Sequence, residues 1–347
     1  MVRKLAAIIL TLVAVLAAGW LALRRPDIPY ETLESTYSVA GSKFTTLGDD
    51  VKVHYVDTGP RDAPVLMLVH GYAASLHTWL AWRDVLDDNY RIVMLDLPGH
   101  GLSRTPEDKP VSIGYYTEIV DQLADRLDID RFSLAGSSMG GNVAWRYALD
   151  HPDRLDSLVL VDAAGWPPAE GEADQAPLVF KLLRFRLARL VIKDLDMSRL
   201  IEDGLRKSFA DPSFVTSEMA ERYSALSRAP GHRQALLSLA AGGPKRMKAS
   251  RERLGDLSVP TLILWGQHDN LVPVAHAKQF EEAIPNAVAI IYDEAGHIPQ
   301  EELAVQSAGD VRAFLDRTAS SDQAGRTETV SEAAAPQQAT GGGARPR

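Results

Sequence analysis

The chain has 347 residues and no cysteine. That absence excludes disulfide staples, thiolate metal sites, a catalytic thiol and lipid attachment through cysteine. Metal-ligand spacings, glycine-rich phosphate loops and the dinucleotide fingerprint are missing too, so no cofactor and no metal is expected. Positive charge is in deficit. Against 37 Lys and Arg stand 46 Asp and Glu, a net charge of −9 that leaves no basic footprint for nucleic acid. No internal repeat is visible, which excludes solenoids and propellers.

What is present begins with one long apolar run. Leu5 to Leu23 carries no charge, and as a helix it measures about 28 Å against a hydrocarbon core of about 30 Å. Arg3 and Lys4 flank it on one side and Arg24 and Arg25 on the other, which leaves its orientation open. Residues 1–23 therefore read as a membrane anchor. A cleaved signal is the alternative, with Ala17-Ala18-Gly19 as a small-residue cleavage site. Residues 24–35, with Pro26 and Pro29, read as a short extended linker. Residues 318–347 hold one large aliphatic side chain, Val330, and read as a disordered tail.

Between these ends, strand and helix patterns alternate. Short β-rich runs fall at 51–57, 64–70, 91–95, 132–136, 155–162, 261–266 and 287–292, several of them apolar on both faces, as in the centre of a parallel sheet. Helical patterns lie between them at 78–88, 115–128, 141–151, 274–284 and 300–317. The interval from Trp166 to Asp256 breaks the alternation, with helical segments near 177–194, 198–209, 213–227 and 234–240. It reads as a helical insertion. Its charge is +4, leaving −13 on the rest of the chain. Within it Val179, Phe180, Leu183, Leu187, Leu190 and Val191 form one apolar stripe and Leu178, Leu182, Phe185 and Ile192 a second, separated by Lys and Arg. Such a helix packs inward with one stripe and offers the other to an apolar surface, or else is buried on both sides.

Ligand chemistry in open parallel sheets gathers beyond the carboxyl ends of the strands. The residues there are His70-Gly71-Tyr72, the run 96–101, Ser138, Asp162, Gly266-Gln267-His268-Asp269 and Ala295-Gly296-His297. Gly136-Ser137-Ser138-Met139-Gly140 stands where a strand turns sharply into a helix, with glycines where nothing bulky fits beside an exposed serine. A serine hydroxyl needs a base to take its proton and an acid to hold that base. Ser138, Asp269 and His297 occur in that chain order. An ordinary helix cap at Ser138 is the alternative to a nucleophile, and Asp162 is the alternative acid.

With HG at 70–71, DLPGHG at 96–101, GSSMG at 136–140, GQHDNLVP at 266–273 and GH at 296–297, the sequence over about Tyr37 to Leu315 resembles the α/β-hydrolase superfamily. The resemblance implies an α/β fold at 36–317, a mostly parallel central sheet flanked by helices with a helical cap inserted at about 166–256. It implies Ser138 as nucleophile, His297 as base, Asp269 as acid, and an oxyanion hole from the backbone N–H groups of Met139 and Tyr72. His70 and His100 would bond backbone and shape the pocket floor, and His268 would be structural or solvated. The implied activity is that of a serine esterase or lipase cleaving carboxylic esters; the apolar stripes of the cap with their basic flanks point to lipid-like ones, and the apolar run 5–23 to membrane lipids as partners of residues 1–23. Meta-cleavage carbon–carbon bond hydrolases share the resemblance, but commonly carry asparagine before the nucleophile and tryptophan after the histidine, where this chain has Ser137 and Ile298. A catalytically idle receptor or scaffold is the third class.

Overall fold

The computed structural model describes residues 2–106, 110–167, 185, 188–189, 192–241 and 248–333. Eight strands form one sheet in the order β1-β2-β4-β3-β5-β6-β7-β8. They are β1 (Ser42–Leu47), β2 (Val51–Thr58), β3 (Val65–Val69), β4 (Arg91–Leu95), β5 (Phe132–Ser137), β6 (Leu155–Val161), β7 (Thr261–Gly266) and β8 (Ala287–Tyr292). The pairings β1·β2 and β2·β4 are antiparallel and the rest parallel.

The strands apolar on both faces are the central ones, because alternate side chains enter different cores. Met67, Val69, Val93, Leu134, Leu158, Leu160 and Trp265 pack on one face, beneath α4 (Ile113–Arg126), α5 (Met139–Asp150) and α9 (Ala275–Ala283). Leu66, Leu68, Ile92, Met94, Val159, Val161 and Leu264 pack on the other, against α3 (Leu80–Leu86) and α10 (Ala304–Ala333). The seven strand runs and five helical runs expected between the ends all find counterparts. β1 has none in the sequence reading: Ser-Lys-Phe-Thr-Thr-Leu is a half-exposed edge strand of low apolarity.

The insertion between β6 and β7 is helical where described: α6 (Ser198–Ser208), α7 (Ser217–Ser227) and α8 (His232–Ala240). Of the two apolar stripes expected near 177–194, Phe185 is 65% exposed and Ile192 half-buried. The other stripe residues lie outside the described residues.

Two boundaries differ from expectation. The segment read as an extended linker is fastened instead. Arg24 forms a β-bridge with Leu195, and α2 (Tyr30–Tyr37) starts behind Pro29. Leu33 of α2 is buried with Leu102, Ala225, Leu226 and Ala229, so one apolar side chain in a polar helix docks it on the cap. At the other end α10 runs on to Ala333, where the sequence suggested a tail without order from 318. Residues of good helix propensity, Ala319, Gln323, Ala324, Arg326, Glu328, Glu332 and Ala333, recur through this extension. Residues 334–347 lie outside the described residues. Helix α1 (Val2–Leu23) has the length and composition of a membrane span or a signal sequence, and its apolar window makes no buried contact.

Candidate active site

Strand β5 ends at Ser137, α5 begins at Met139, and the chain reverses between them at Ser138 with φ 53° and ψ −115°. That conformation costs a non-glycine residue on the order of 1–3 kcal/mol. Three backbone hydrogen bonds hold it. The Ser138 N–H donates to Val161 O at 2.9 Å, and Ser138 O accepts from Ala164 N at 2.9 Å and Asn142 N at 3.2 Å. Space also dictates the glycines: a Cβ on Gly136 would lie 2.1 Å from Gly140 O, and one on Gly140 2.1 Å from Val69 O. Ser138 is half-buried and its hydroxyl makes no cap bond to α5, which disposes of the ordinary-cap reading.

The His70-Gly71-Tyr72 loop runs beside the serine, close enough that a Cβ on Gly71 would sit 3.1 Å from Ser138 Cβ. His70 Nε2 accepts from Leu97 N at 3.0 Å while its Nδ1–H donates to Gly71 O at 2.7 Å. That imidazole is spent on backbone, as expected. The N–H of Met139 is the first of α5, and the first N–H groups of a helix have no partner within it. Tyr72 hydroxyl donates to Leu236 O of α8 at 3.1 Å, tying this loop to the cap.

His297 is 5% exposed and its Nδ1 lies 2.7 Å from Asp269 Oδ2. Asp269 Oδ1 accepts from Leu271 N at 2.7 Å and Val272 N at 2.9 Å. Burial pushes the Asp269 carboxyl up, but the hydrogen bond and charge of His297 with those N–H groups hold it below the usual carboxylate range. An ionised Asp269 can only accept, so His297 carries its proton on Nδ1 and leaves Nε2 bare to receive one. Exposed His268, next in sequence, faces water.

Asp162 also reaches this cluster. It follows β6 directly at φ 45°, is completely buried, and accepts from Gly266 N at 3.0 Å. One atom each of Asp162, Asp269 and His297 lie within 4.8 Å of one another. The acid bonded to the imidazole is Asp269, and Asp162 stands behind it. Burial, then the Asp269 charge, pushes the Asp162 carboxyl well above its ordinary value.

Glu302 was not legible as part of the site. Its carboxylate accepts from Gly296 N at 2.5 Å and from Ala210 N of the cap at 2.6 Å, while the His297 N–H donates to Ser208 O at 2.7 Å. The histidine loop is thus bolted to the cap, and a glutamate five residues past a Gly-His pair would have been the signal.

A second Ser-His-Asp chain lies elsewhere. Ser42 Oγ is 2.8 Å from His54 Nε2, and His54 Nδ1 is 2.7 Å from Asp96 Oδ2. Ser42 Oγ already accepts from Val39 N, and Asp96 accepts from Leu76 N and Leu102 N. Ser42 lies in an edge strand rather than at a strained turn. This chain ties loops together, so a hydrogen-bonded relay is not by itself an active site.

The family model of the alpha/beta hydrolase fold matches residues 64–303. The dihydrolipoyllysine-residue acetyltransferase component of the acetoin cleaving system from Cupriavidus necator is 30% identical over 272 residues, 78% of this chain and 67% of that protein. This chain thus spans about two thirds of that relative's length, and 66% of its Pseudomonas putida counterpart. A 2-hydroxy-6-oxononadienedioate/2-hydroxy-6-oxononatrienedioate hydrolase from Cupriavidus pinatubonensis is 29% identical over 76% of this chain and 91% of its own. Among solved structures, a membrane phospholipase A described as a bacterial virulence factor superposes with a TM-score of 0.67 at 26% identity, covering 92% of this chain and 99% of its own.

Proposed function

This chain belongs to the α/β-hydrolase fold family, and from that premise we propose that it is a membrane-anchored serine hydrolase that cleaves carboxylic esters, preferably lipid-like ones. Ser138 attacks the ester carbonyl while His297 Nε2 takes its proton, and Asp269 stabilises the imidazolium through Nδ1. The N–H groups of Met139 and Tyr72 receive the oxyanion. His297 then protonates the departing alcohol, and water activated by the same imidazole cleaves the acyl-enzyme. The observation that carries this reading is the strained Ser138 turn combined with an imidazole whose Nδ1 is committed to a carboxylate.

The lipid part rests on how the apolar helix meets the cap. Asp196 N donates to Leu23 O at 2.9 Å, Arg25 N to Asp194 O at 2.8 Å, and Arg25 Nε to Asp196 Oδ2 at 2.8 Å. Arg233 adds bonds to Arg25 O at 2.9 Å and to Asp27 at 2.6 Å. A helix that resides in a bilayer would hold the cap against the headgroups, and the cap is what a substrate must pass. The membrane phospholipase A similarity supports the same direction.

A competing reading is hydrolysis of a carbon–carbon bond next to a carbonyl, favoured by the likeness to the 2-hydroxy-6-oxo-acid hydrolases. Against it stand Ser137, whose hydroxyl accepts from Gln300 Nε2 at 3.2 Å, and Ile298, packed with Leu205, Phe209 and Val215. A panel of 4-nitrophenyl esters from acetate to palmitate, with a vinylogous diketone beside them, decides. Ester turnover rising with chain length supports the proposal, and turnover of the diketone alone overturns it. Failure of a fluorophosphonate to label Ser138 would instead favour an idle scaffold.

A further inference from the structure

Asp162 Oδ1 accepts one backbone N–H, from Gly266, and its Oδ2 is buried without a donor. A carboxylate oxygen of Asp269 lies within 4.8 Å of the Asp162 carboxyl. A like charge this close disfavours ionisation of the second carboxyl and raises its pKa. The surroundings decide which one keeps its charge. Asp269 has two backbone N–H groups and the His297 imidazole. Asp162 has a single N–H, sits deeper, and also feels Glu302. Tyr292 faces it as well, its hydroxyl turned to Asp310 at 2.8 Å and kept neutral by burial. The charged side chains that bear most on Asp162 among the described residues are Asp269 and Glu302, both acidic.

We propose that Asp162 keeps its proton and donates it to Asp269, acting as a positioning residue that locks the Asp269 carboxylate onto His297 Nδ1. The inference deepens the serine-hydrolase reading and rests on it for its meaning. An O–H donor behind Asp269 fixes that carboxylate's orientation and drains part of its negative charge. The imidazolium formed during turnover is thereby stabilised without being trapped. The left-handed backbone at Asp162 serves that aim, since an aspartate tolerates this conformation and turns its carboxyl under β7. The β6 end thus supplies no second acid for the imidazole, only the proton that holds the first one.

The test uses three proteins, each in a Ser138→Ala background for spectroscopy and with Ser138 intact for kinetics: unaltered, Asp162→Asn and Asp162→Ala. Isotope-edited infrared spectra at neutral pH should show a protonated carboxyl band that Asp162→Asn removes. The ring signals of His297, followed by NMR against pH, should titrate unchanged in Asp162→Asn, whose amide still donates, and at higher pH in Asp162→Ala, where Asp269 regains its full charge. The acid limb of kcat/KM should move in the same way. If Asp162 were ionised, Asp162→Asn would remove a full charge under 5 Å from the ring, and the titration would fall by about 2 pH units at an effective dielectric of about 20. That fall, or absence of the infrared band, overturns the proposal. If Asp162→Ala does not fold, the band and Asp162→Asn decide. Neither spectrum needs turnover, so an enzyme that cleaves no ester yet shows the band separates failure of the function from failure of the pair.

Discussion

Replacing Asp269 with asparagine changes few atoms and should nearly abolish catalysis. In the native site one carboxylate oxygen accepts Leu271 N–H and Val272 N–H while the other accepts the His297 Nδ1–H. An amide has a single acceptor oxygen. If that oxygen keeps the two backbone donors, its NH₂ faces His297, and the imidazole must move its proton to Nε2, where it can no longer receive one from Ser138. If the amide flips, two N–H donors confront an NH₂ and lose their acceptor, at about 1–3 kcal/mol each. The unproductive tautomer is therefore favoured by roughly 2–5 kcal/mol, and the imidazolium loses its counter-charge besides. The combined loss should be about 10³- to 10⁴-fold in kcat/KM, or about 4–5.5 kcal/mol at 1.36 kcal/mol per decade, comparable to the same exchange in other Ser-His-Asp enzymes. The assay is hydrolysis of 4-nitrophenyl butyrate at pH 8, with Asp162→Asn measured in parallel. A loss below tenfold for Asp269→Asn, or a larger loss for Asp162→Asn, would refute the assignment of the acid.

Ser138→Ala should leave the fold intact and remove both ester hydrolysis and all fluorophosphonate labelling; a label found on half-buried Ser42 would show that the Ser42-His54-Asp96 chain is reactive after all. Full-length protein should stay with membranes through a carbonate wash. A chain starting at Arg24 should be soluble and hydrolyse butyrate, whereas one starting at Pro29 lacks the Arg25 and Asp27 contacts and should show a cap more open to protease. Equal protease resistance of the two truncations would contradict the clamp. Acid should destabilise the domain, because burial lowers His77 and His232 to about 4. Their contribution is complete above about 6.5 and is lost as pH falls toward 4, at a limit of roughly 3 kcal/mol each. Glu301, which burial raises to about 7, works the other way, stabilising below the ordinary glutamate range and ceasing to do so as pH rises through 7. Glu301→Gln should therefore steepen the loss of urea midpoint between pH 7.5 and 4.5, and a midpoint equal at both pH values would contradict the histidine assignment.

Legibility in the sequence followed the range of the interactions. The central strands are apolar on both faces because they feed two cores, so local composition revealed them. The Ser138 turn was visible because its constraint is local: both glycines that permit it lie within two residues. β1 escaped notice because its edge position asks little of its side chains. Asp162 and Asp269 are brought together by the adjacency of β6 and β7, strands separated in sequence by the whole cap. No local pattern announces that one of the two must be neutral. The linker reading failed for a related reason: Leu33 looks incidental in a polar segment, and its partners lie near residues 102 and 225–229.

The cap is best understood through where it is tied down. On one side it grips the base of α1 through the Leu23, Arg25 and Asp27 contacts. On the other it holds the histidine loop, through Ser208 O on the His297 N–H and through Glu302, which bonds Gly296 and Ala210 together. Gly296 allows this because a Cβ there would lie 2.6 Å from both Ala210 N and Ser208 O. Ser208 closes α6, and the segment binding Leu23 and Arg25 immediately precedes that helix. An α-helix transmits displacement along its axis with little compression, so α6 links the Leu23 and Arg25 contacts to the imidazole without needing a hinge in between. The distance from the end of α1 to the histidine loop is therefore set by one helix of 11 residues, about 16 Å long.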